Sequence, residues 1–383
     1  MKQWRLPQFS RYNNIIRLYC LFKCYTIEMR NENITYIKAL AIILMVVGHS
    51  YTQPFVYRAI YMFHMPLFFM VSGYCLKEKY FDSPHQFVWK RIKGLWWPYV
   101  KYATLFILLH NTFFKAGIMG EECQYFSTDD ILIRLRTLIL VNRGGDTFLP
   151  GHWFLRALFY GSLFSFFTLL ILKKISVRKP LYTKLIPLMG GVIMLFLTYI
   201  LSIYGNTVSV FWISAQQFLA ATFFCIGYGL SFYKVDRIPL RFSLPILVSL
   251  VVVSQFTYME CFSDWYDIQL ILPYVAVASL STWCIYSLPW NKMNKKVKAM
   301  MSYIGNNTLH ILIWHALSFR IVSWFLIMIY GYPNEMLKNM TFHYEMSGRG
   351  WLPLYVMVGV GMPLLFAFLC KTIKLKIISL FKK

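Results

Sequence analysis

Charged residues are scarce in this chain of 383 residues, and acidic residues are the scarcest. Only 14% of the residues are charged, with 15 Asp and Glu against 39 Lys and Arg, whereas a soluble domain usually has about a quarter charged residues. Hydrophobic residues make up 58% of the chain, so lipid must cover much of its surface. This composition excludes an ordinary soluble domain.

Several motifs are also missing. The eight cysteines form no disulfide framework, and Cys20 and Cys24 lack a second pair or histidines at zinc spacing, so no metal site is expected. There is no Walker loop and no GxGxxG, HExxH or GxSxG pattern. Asp and Glu are nearly absent from the apolar segments, which disfavours a proton-coupled transporter.

What the sequence does have is a series of apolar segments of about 20 residues, the length at which a helix crosses the hydrocarbon core. They predict an all-α polytopic membrane protein with about ten transmembrane helices. The segments are residues 34–52, 58–76, 95–114, 153–172, 186–204, 210–232, 242–259, 268–289, 302–330 and 351–370. The ninth is long enough for a kink, a tilt or an extension beyond the bilayer.

The net charge of +24 suggests nucleic-acid binding at first sight. The basic residues instead form clusters after every second apolar segment, which is the pattern of membrane-orientation signals, so no nucleic-acid partner is expected. The positive-inside rule places these clusters and both termini in the cytosol. We expect a basic cytosolic N-terminal segment at 1–33, whose first 28 residues fit either a start-site artefact or a tail, and a basic cytosolic tail at 371–383.

Ionisable groups inside membrane segments are costly and are therefore functional candidates. Lys38 and His49 are eleven residues apart in the first segment, which is about three helical turns and roughly 16 Å along one face. The spacing predicts a cation near the cytosolic end and an imidazole deeper in the membrane. A snorkelling lysine and an interfacial histidine are the alternative.

The second segment carries His64, Pro66, Ser72 and Gly73. Pro66 removes one backbone hydrogen bond and can open the helix around His64. Ser72 and Gly73 allow close helix packing. Ser72 is also a candidate covalent nucleophile, but no base stands beside it in the pattern, so direct transfer is favoured.

Polar side chains also mark the fourth and ninth segments. His152 and Arg156 are four residues apart on one face, and an interfacial anchor with Trp153 is the alternative. Thr308 and His315, seven apart, share a face of the ninth segment near Asn306, and hydrogen-bonded helix contacts are the alternative there.

If the first, second, fourth and ninth helices meet, their histidines line one cavity. A buried imidazole there can take the proton from a hydroxyl as that oxygen attacks an acyl carbonyl.

Five motifs, in this order, resemble patterns of the acyltransferase 3 family of bacterial membrane O-acyltransferases. They are IKALAIILMVVGHS, FHMPLFFMVSGY, KRIKGLWWPYV, HWFL and GNNTLHILIWH, and the resemblance covers about residues 34–370. Lys38 and His49 match the family's basic residue followed, after ten positions, by a histidine. Many relatives have Arg where this chain has Lys38, which keeps the charge but not the bidentate fork.

The resemblance implies a transmembrane acyltransferase domain at 34–370 that takes an acetyl group from acetyl-CoA, as co-substrate and without a bound cofactor. It implies a glycan acceptor, either a surface polysaccharide or its lipid-linked precursor, and a location in the cell inner membrane. The expected roles complete this picture. The catalytic candidates are Lys38, His49, His64 and His315; the donor-binding candidates are Lys38, Ser72, Arg91 and Lys93; and the acceptor or cavity-lining candidates are His152, Trp153, Arg156, Asn306 and Thr308.

Two other classes of protein remain open on the residues alone. A transporter or flippase for lipid-linked glycans is compatible with ten helices and polar segments, but it gives no reason for the spacing of Lys38 and His49. A receptor or scaffold without chemistry is the other, and the clustered histidines argue against it.

Overall fold

The structure is a computed structural model that describes most of the chain beyond residue 30. The described residues are 31–50, 52–120, 123–141, 143, 149, 151–176, 180–204, 207–208, 213–260, 262, 267–338 and 351–380. Several residues named above for their pattern, including Cys20 and Cys24, lie outside these ranges.

The described part of the chain folds almost entirely as α-helices. In chain order these are α1 Glu32–His49, α2 Pro54–Tyr61, α3 His64–Tyr74, α4 Lys79–Asp82, α5 Pro84–Arg91, α6 Trp97–Lys115, α7 Thr128–Val141, α8 His152–Ser176, α9 Pro180–Ile203, α10 Ala215–Phe232, α11 Leu240–Phe256, α12 Ile271–Ser287, α13 Lys295–Asn306, α14 Thr308–Tyr330 and α15 Leu352–Leu380.

Short elements connect some of these helices. A π-helical turn, Ile92–Trp96, joins α5 to α6, and 3₁₀ turns lie at Ile268–Leu270, Trp290–Lys292 and Asn334–Lys338. Strands β1 Thr207–Val208 and β2 Ile213–Ser214 pair antiparallel in a small hairpin, with Thr207 opposite Ser214 and Val208 opposite Ile213.

The all-α membrane architecture agrees with the prediction. Each of the ten apolar segments falls on helix. Within the described ranges, seven helical stretches are long and apolar enough to cross a membrane, with α2 and α3 together forming one of them. The remaining three apolar segments correspond to α6, α10 and α11, and α11 is an apolar helix of 17 residues.

Two of the long segments are broken where the sequence carries polar or helix-limiting residues. The chain turns at Met62 and Phe63, and α3 begins at His64. Pro66 therefore lies in the first turn of α3, where the backbone N–H that proline lacks would have no partner within the helix. The ninth segment breaks at Asn307, whose side-chain amide donates to the Tyr303 carbonyl at 2.8 Å. An asparagine that hydrogen-bonds nearby backbone competes with helix continuation.

Helix α10 packs against α3, α8 and α9, and α1 packs against α3, α13, α14 and α15. The contact between α3 and α10 is made by backbone. A Cβ added at Gly73 would lie 1.9 Å from the Phe224 carbonyl oxygen, and one added at Gly227 would lie 1.9 Å from the Met70 carbonyl oxygen. These two glycines are therefore required for the close approach of the helices.

Contacts between the basic connections place them at one end of the bundle. Lys173, in the last turn of α8, pairs with Glu78, after α3, at 2.6 Å. Arg237, after α10, lies over the ring of Tyr286 at 5.1 Å, and the Tyr286 hydroxyl accepts from Asn31, just before α1, at 3.4 Å. We call this the basic end, and the opposite end, where α1 finishes, the histidine end.

Candidate active site

A cavity of about 420 Å³ lies between α1, α3, α5 with its π-helical extension, α8 and α14. This volume is within the range of small-molecule sites. The described residues that line it are Asn31, Ile34, Thr35, Lys38, Ile42, Met45, Met65, Phe68, Val71, Ser72, Cys75, Tyr80, Phe87, Lys90, Arg91, Gly94, Leu95, Phe154, Leu155, Leu158, Thr308, Leu309 and Leu312. None of these lining residues is acidic, so the cavity suits an anionic ligand.

Cations gather where the cavity meets the basic end. Lys38, Lys90 and Arg91 all line it there, and Lys90 donates to the Tyr80 hydroxyl at 3.1 Å. The Arg91 guanidinium lies 4.7 Å from the centre of the Phe87 ring. Burial lowers the pKa of the Arg91 guanidinium to about 10, so the group still carries its charge at neutral pH.

Arg91 has unused hydrogen-bonding capacity. Its Nε atom is buried and makes no hydrogen bond within the described part of the chain. Lys93, two residues later, is exposed and lies 4.8 Å from the centre of the Trp89 ring, and it does not line the cavity. The structure therefore brings Arg91 to the cavity and Lys93 to its outer rim.

The middle of the cavity is mostly apolar, with one hydroxyl. Ser72 Oγ lines it and has no hydrogen-bond partner among the described residues. Beyond Ser72 the cavity ends at the side chains of Met45, Met65 and Leu312. Met45 is four residues before His49 on α1, a rise of about 6 Å. The cavity thus stops one helical turn from the first histidine.

Three histidines from three helices gather at that point. The ring centres of His49 and His315 are 5.3 Å apart, and His49 is close enough to His64 and to His315 to interact with both electrostatically. His64 is 1% exposed and His315 is fully buried, whereas His49 is only partly buried. His49 is therefore the least buried residue of the three.

Backbone carbonyls fix two of these rings. His315 Nδ1 lies 3.1 Å from the Ile311 carbonyl oxygen and 3.0 Å from that of Leu312, and His64 Nδ1 lies 3.0 Å from the Ile60 carbonyl oxygen. A carbonyl can only accept, so Nδ1 must carry the hydrogen in both rings. The other nitrogen, Nε2, then has a free lone pair. In His315 it makes no hydrogen bond within the described ranges.

The remaining predicted site residues lie around the three histidines and not among them. Thr308 lines the cavity at the basic end. Trp153 packs 5.5 Å from the Phe262 ring, and the Arg156 guanidinium lies 5.8 Å from the Tyr160 ring. Asn306 is exposed at the end of α13. His152 begins α8, and its side chain lies outside the described part of the structure.

Sequence reasoning did not single out Lys90 or the methionines that end the cavity. The pattern explains Lys90 only as part of an orientation signal, whereas its neighbours Arg91 and Lys93 are the predicted donor-binding residues. Lys90 and Arg91 are neighbours on the short helix α5, so the role predicted for Arg91 could have been extended to Lys90. Within the described ranges no group of His, Cys, Asp or Glu is arranged to hold a metal ion.

Comparison with known proteins gives one match. A family model described as an acyltransferase domain matches residues 31–372, nearly the whole chain. No curated protein and no solved structure matches the chain.

Proposed function

The chain belongs to the acyltransferase 3 family and is a membrane acyltransferase, and from that premise we propose that it moves an acetyl group from cytosolic acetyl-CoA to a sugar hydroxyl. The acceptor is a cell-surface polysaccharide or its lipid-linked precursor. One observation carries the proposal. Among the described residues, a cavity lined by three cations and by no carboxylate runs from Lys38 to within one turn of His49.

The cations explain the choice of donor. Coenzyme A is a phosphorylated nucleotide on a slender pantetheine arm. Lys38, Lys90 and Arg91 suit its phosphates, and the apolar lining residues beyond them suit the arm. The unpaired Oγ of Ser72 lies along that path, where it can hydrogen-bond an amide of pantetheine. In this arrangement the thioester reaches Met45 and Leu312, next to the histidines.

His49 is the group that handles the proton. The acceptor oxygen attacks the thioester carbonyl, the new C–O bond forms, the C–S bond breaks, and the hydroxyl proton passes to His49. The departing thiolate takes that proton from His49, which restores the imidazole and releases free CoA. The lone pair of His315 Nε2 can accept from His49 and hold its ring in place. Direct transfer needs no covalent intermediate on Ser72.

This chemistry fits a definite membrane orientation. The basic end faces the cytosol, where acetyl-CoA is made, and the histidine end lies in the outer half of the cell inner membrane. We propose ten spans, which return both termini to the cytosol, and the contacts between basic connections support that arrangement.

Alkylation of Cys75 tests the donor site. Cys75 is exposed and lines the cavity at the basic end, and Cys370 is an exposed cysteine on α15 that does not line the cavity. Purified protein is treated with N-ethylmaleimide, and labelling of each cysteine is followed by mass spectrometry. We expect acetyl-CoA, whose sulfur is blocked as a thioester and so does not consume the maleimide, to slow labelling of Cys75 and to leave that of Cys370 unchanged; we call this slowing CoA protection. Equal labelling of Cys75 with and without saturating acetyl-CoA would contradict a donor in this cavity.

Transfer itself is measured in liposomes with labelled acetyl-CoA. The acceptor is de-O-acetylated surface polysaccharide from cells that lack the gene. We expect label in the polysaccharide with the wild-type chain, and far slower labelling with Lys38→Ala or His49→Ala. Full transfer by both variants would remove the roles proposed for these residues.

A further inference from the structure

Aromatic rings continue beyond His64 toward the surface at the histidine end. The Tyr61 ring meets that of His64 edge-on at 4.7 Å between centres and stacks on that of Tyr57 at 3.8 Å. Tyr61 also packs over α1 beside His49, because a Cβ added at Gly48 would lie 2.9 Å from its ring. The catalytic candidates are thus in contact with a pair of stacked tyrosines on α2.

A second element completes this surface. The Tyr258 ring, just after α11, is parallel to that of Tyr57 within 7°, with centres 6.2 Å apart. Its hydroxyl donates to Glu260 Oε2 at 2.9 Å and lies 3.4 Å from the Tyr57 hydroxyl. Arg58 donates to the Gln255 carbonyl and so ties α2 to the end of α11. We call Tyr57, Tyr61, Tyr258 and Glu260 the tyrosine platform.

Glu260 distinguishes the platform from a simple lipid anchor. Aromatic residues at a membrane interface commonly anchor a protein in lipid, but an ionised carboxylate is costly against lipid. Here the carboxylate is hydrogen-bonded beside parallel rings, and Tyr258 is 40% exposed.

We infer that the tyrosine platform binds a pyranose ring of the saccharide acceptor and delivers one of its hydroxyls to His49. A pyranose has apolar C–H faces that pack on aromatic rings, and hydroxyls at its rim that donate to a carboxylate. Tyr57 and Tyr61 supply ring surface next to the histidines, and Glu260 with Tyr258 supplies hydrogen-bond partners further out. This inference rests on the proposed function, because it names where that reaction holds its acceptor.

The test separates acceptor binding from donor binding. Tyr258→Ala and Glu260→Gln are reconstituted in liposomes with labelled acetyl-CoA and the de-O-acetylated polysaccharide, whose concentration is varied. We expect the acceptor KM to rise about tenfold, the effect of losing one good contact, while kcat at saturating acceptor stays within about twofold. Protection of Cys75 by CoA should remain as in the wild type.

Two further variants make the result decisive. Tyr258→Phe keeps the ring and loses the hydroxyl, so it should show a smaller rise in acceptor KM than Tyr258→Ala. Tyr204→Ala is the matched control, since Tyr204, after α9, is 82% exposed and is not part of the platform, and it should leave the acceptor KM unchanged.

An unchanged acceptor KM in the platform variants would overturn the inference. Loss of CoA protection at Cys75 would also overturn it, because the residues would then be structural. Failure of the wild-type chain to transfer at all would instead refute the proposed function.

Discussion

The basic end and the histidine end differ in how exposed their side chains are and in how firmly these side chains are held. At the basic end the cations lie on exposed or partly exposed side chains: Lys90 is exposed, and Lys38 and Arg91 are partly buried. At the histidine end His64 and His315 are buried, with one nitrogen of each ring held by backbone carbonyls. Adaptable charges suit the capture of a mobile, charged ligand, whereas fixed rings suit proton transfer, which depends on exact placement. In the proposed reaction, this difference separates donor binding from proton transfer.

Replacing His49 should have the largest effect on this division between the two ends. We expect His49→Gln to lower kcat about 10³-fold, because a positioned general base typically contributes 10²–10⁴-fold. The donor KM and the CoA protection of Cys75 should stay near their wild-type values. His85→Gln is the control, since His85 is an exposed histidine on α5. If His49→Gln instead abolished CoA protection, the two ends would not be separable.

Removing the cation of α1 should have the next largest effect. We expect Lys38→Ala to lower kcat/KM for acetyl-CoA about 100-fold, mainly through KM, because a charge that contacts donor phosphates is lost. Lys38→Arg, which keeps the charge, should recover most of the activity. Steady-state kinetics at varied acetyl-CoA measure both. A pure kcat defect in Lys38→Ala would assign Lys38 to the chemistry instead.

The contrast between Arg91 and Lys93 sharpens the boundary of the donor site. Arg91 lines the cavity with an unpaired Nε, whereas Lys93 lies over Trp89 outside it. We therefore expect Arg91→Gln to raise the acetyl-CoA KM about tenfold and Lys93→Gln to leave it nearly unchanged. An equal increase in the acetyl-CoA KM of both variants would mean that long-range positive charge attracts the donor and that contact with Arg91 does not.

Salt provides the mildest test, because it weakens exposed charges and leaves buried rings alone. Raising the ionic strength from about 0.05 M to 0.5 M should increase the acetyl-CoA KM several-fold through screening, with little change in kcat. Enzyme assays in a salt that does not bind CoA measure the effect. A salt-dependent kcat at saturating substrate would show that exposed charge also takes part in the chemical step.

The sequence predicted the helices well because membrane spanning imposes a length and a composition that can be counted. It also suggested a meeting of the first, second, fourth and ninth helices, because polar groups in lipid must find one another. It did not predict α7, which is only 14 residues long and carries Asp129, Asp130, Arg134 and Arg136. A short charged helix leaves no signal in a search for long apolar runs.

The details of the site were less accessible from sequence. Lys90, Arg91 and Lys93 look equivalent in the pattern, and only the direction of each side chain around the π-helical turn distinguishes them. The tyrosine platform joins residues about 200 positions apart, Tyr57 and Tyr258. Tyr57 and Tyr61 are four residues apart, so the sequence indicates that they share one helix face. Nothing in the sequence near Tyr258 indicates that it is their neighbour.

We expect the backbone contact between α3 and α10 to limit which acyl groups the proposed reaction can use. Because Gly73 and Gly227 leave no space between these helices, the wall that carries Ser72 and Met65 cannot move back to make room for a longer chain. Added length would have to come from side chains across the cavity, on α1 and α14. We therefore expect Met45 and Leu312 to set the acyl length, and a smaller side chain at either position to admit butyryl or longer groups in place of the proposed acetyl.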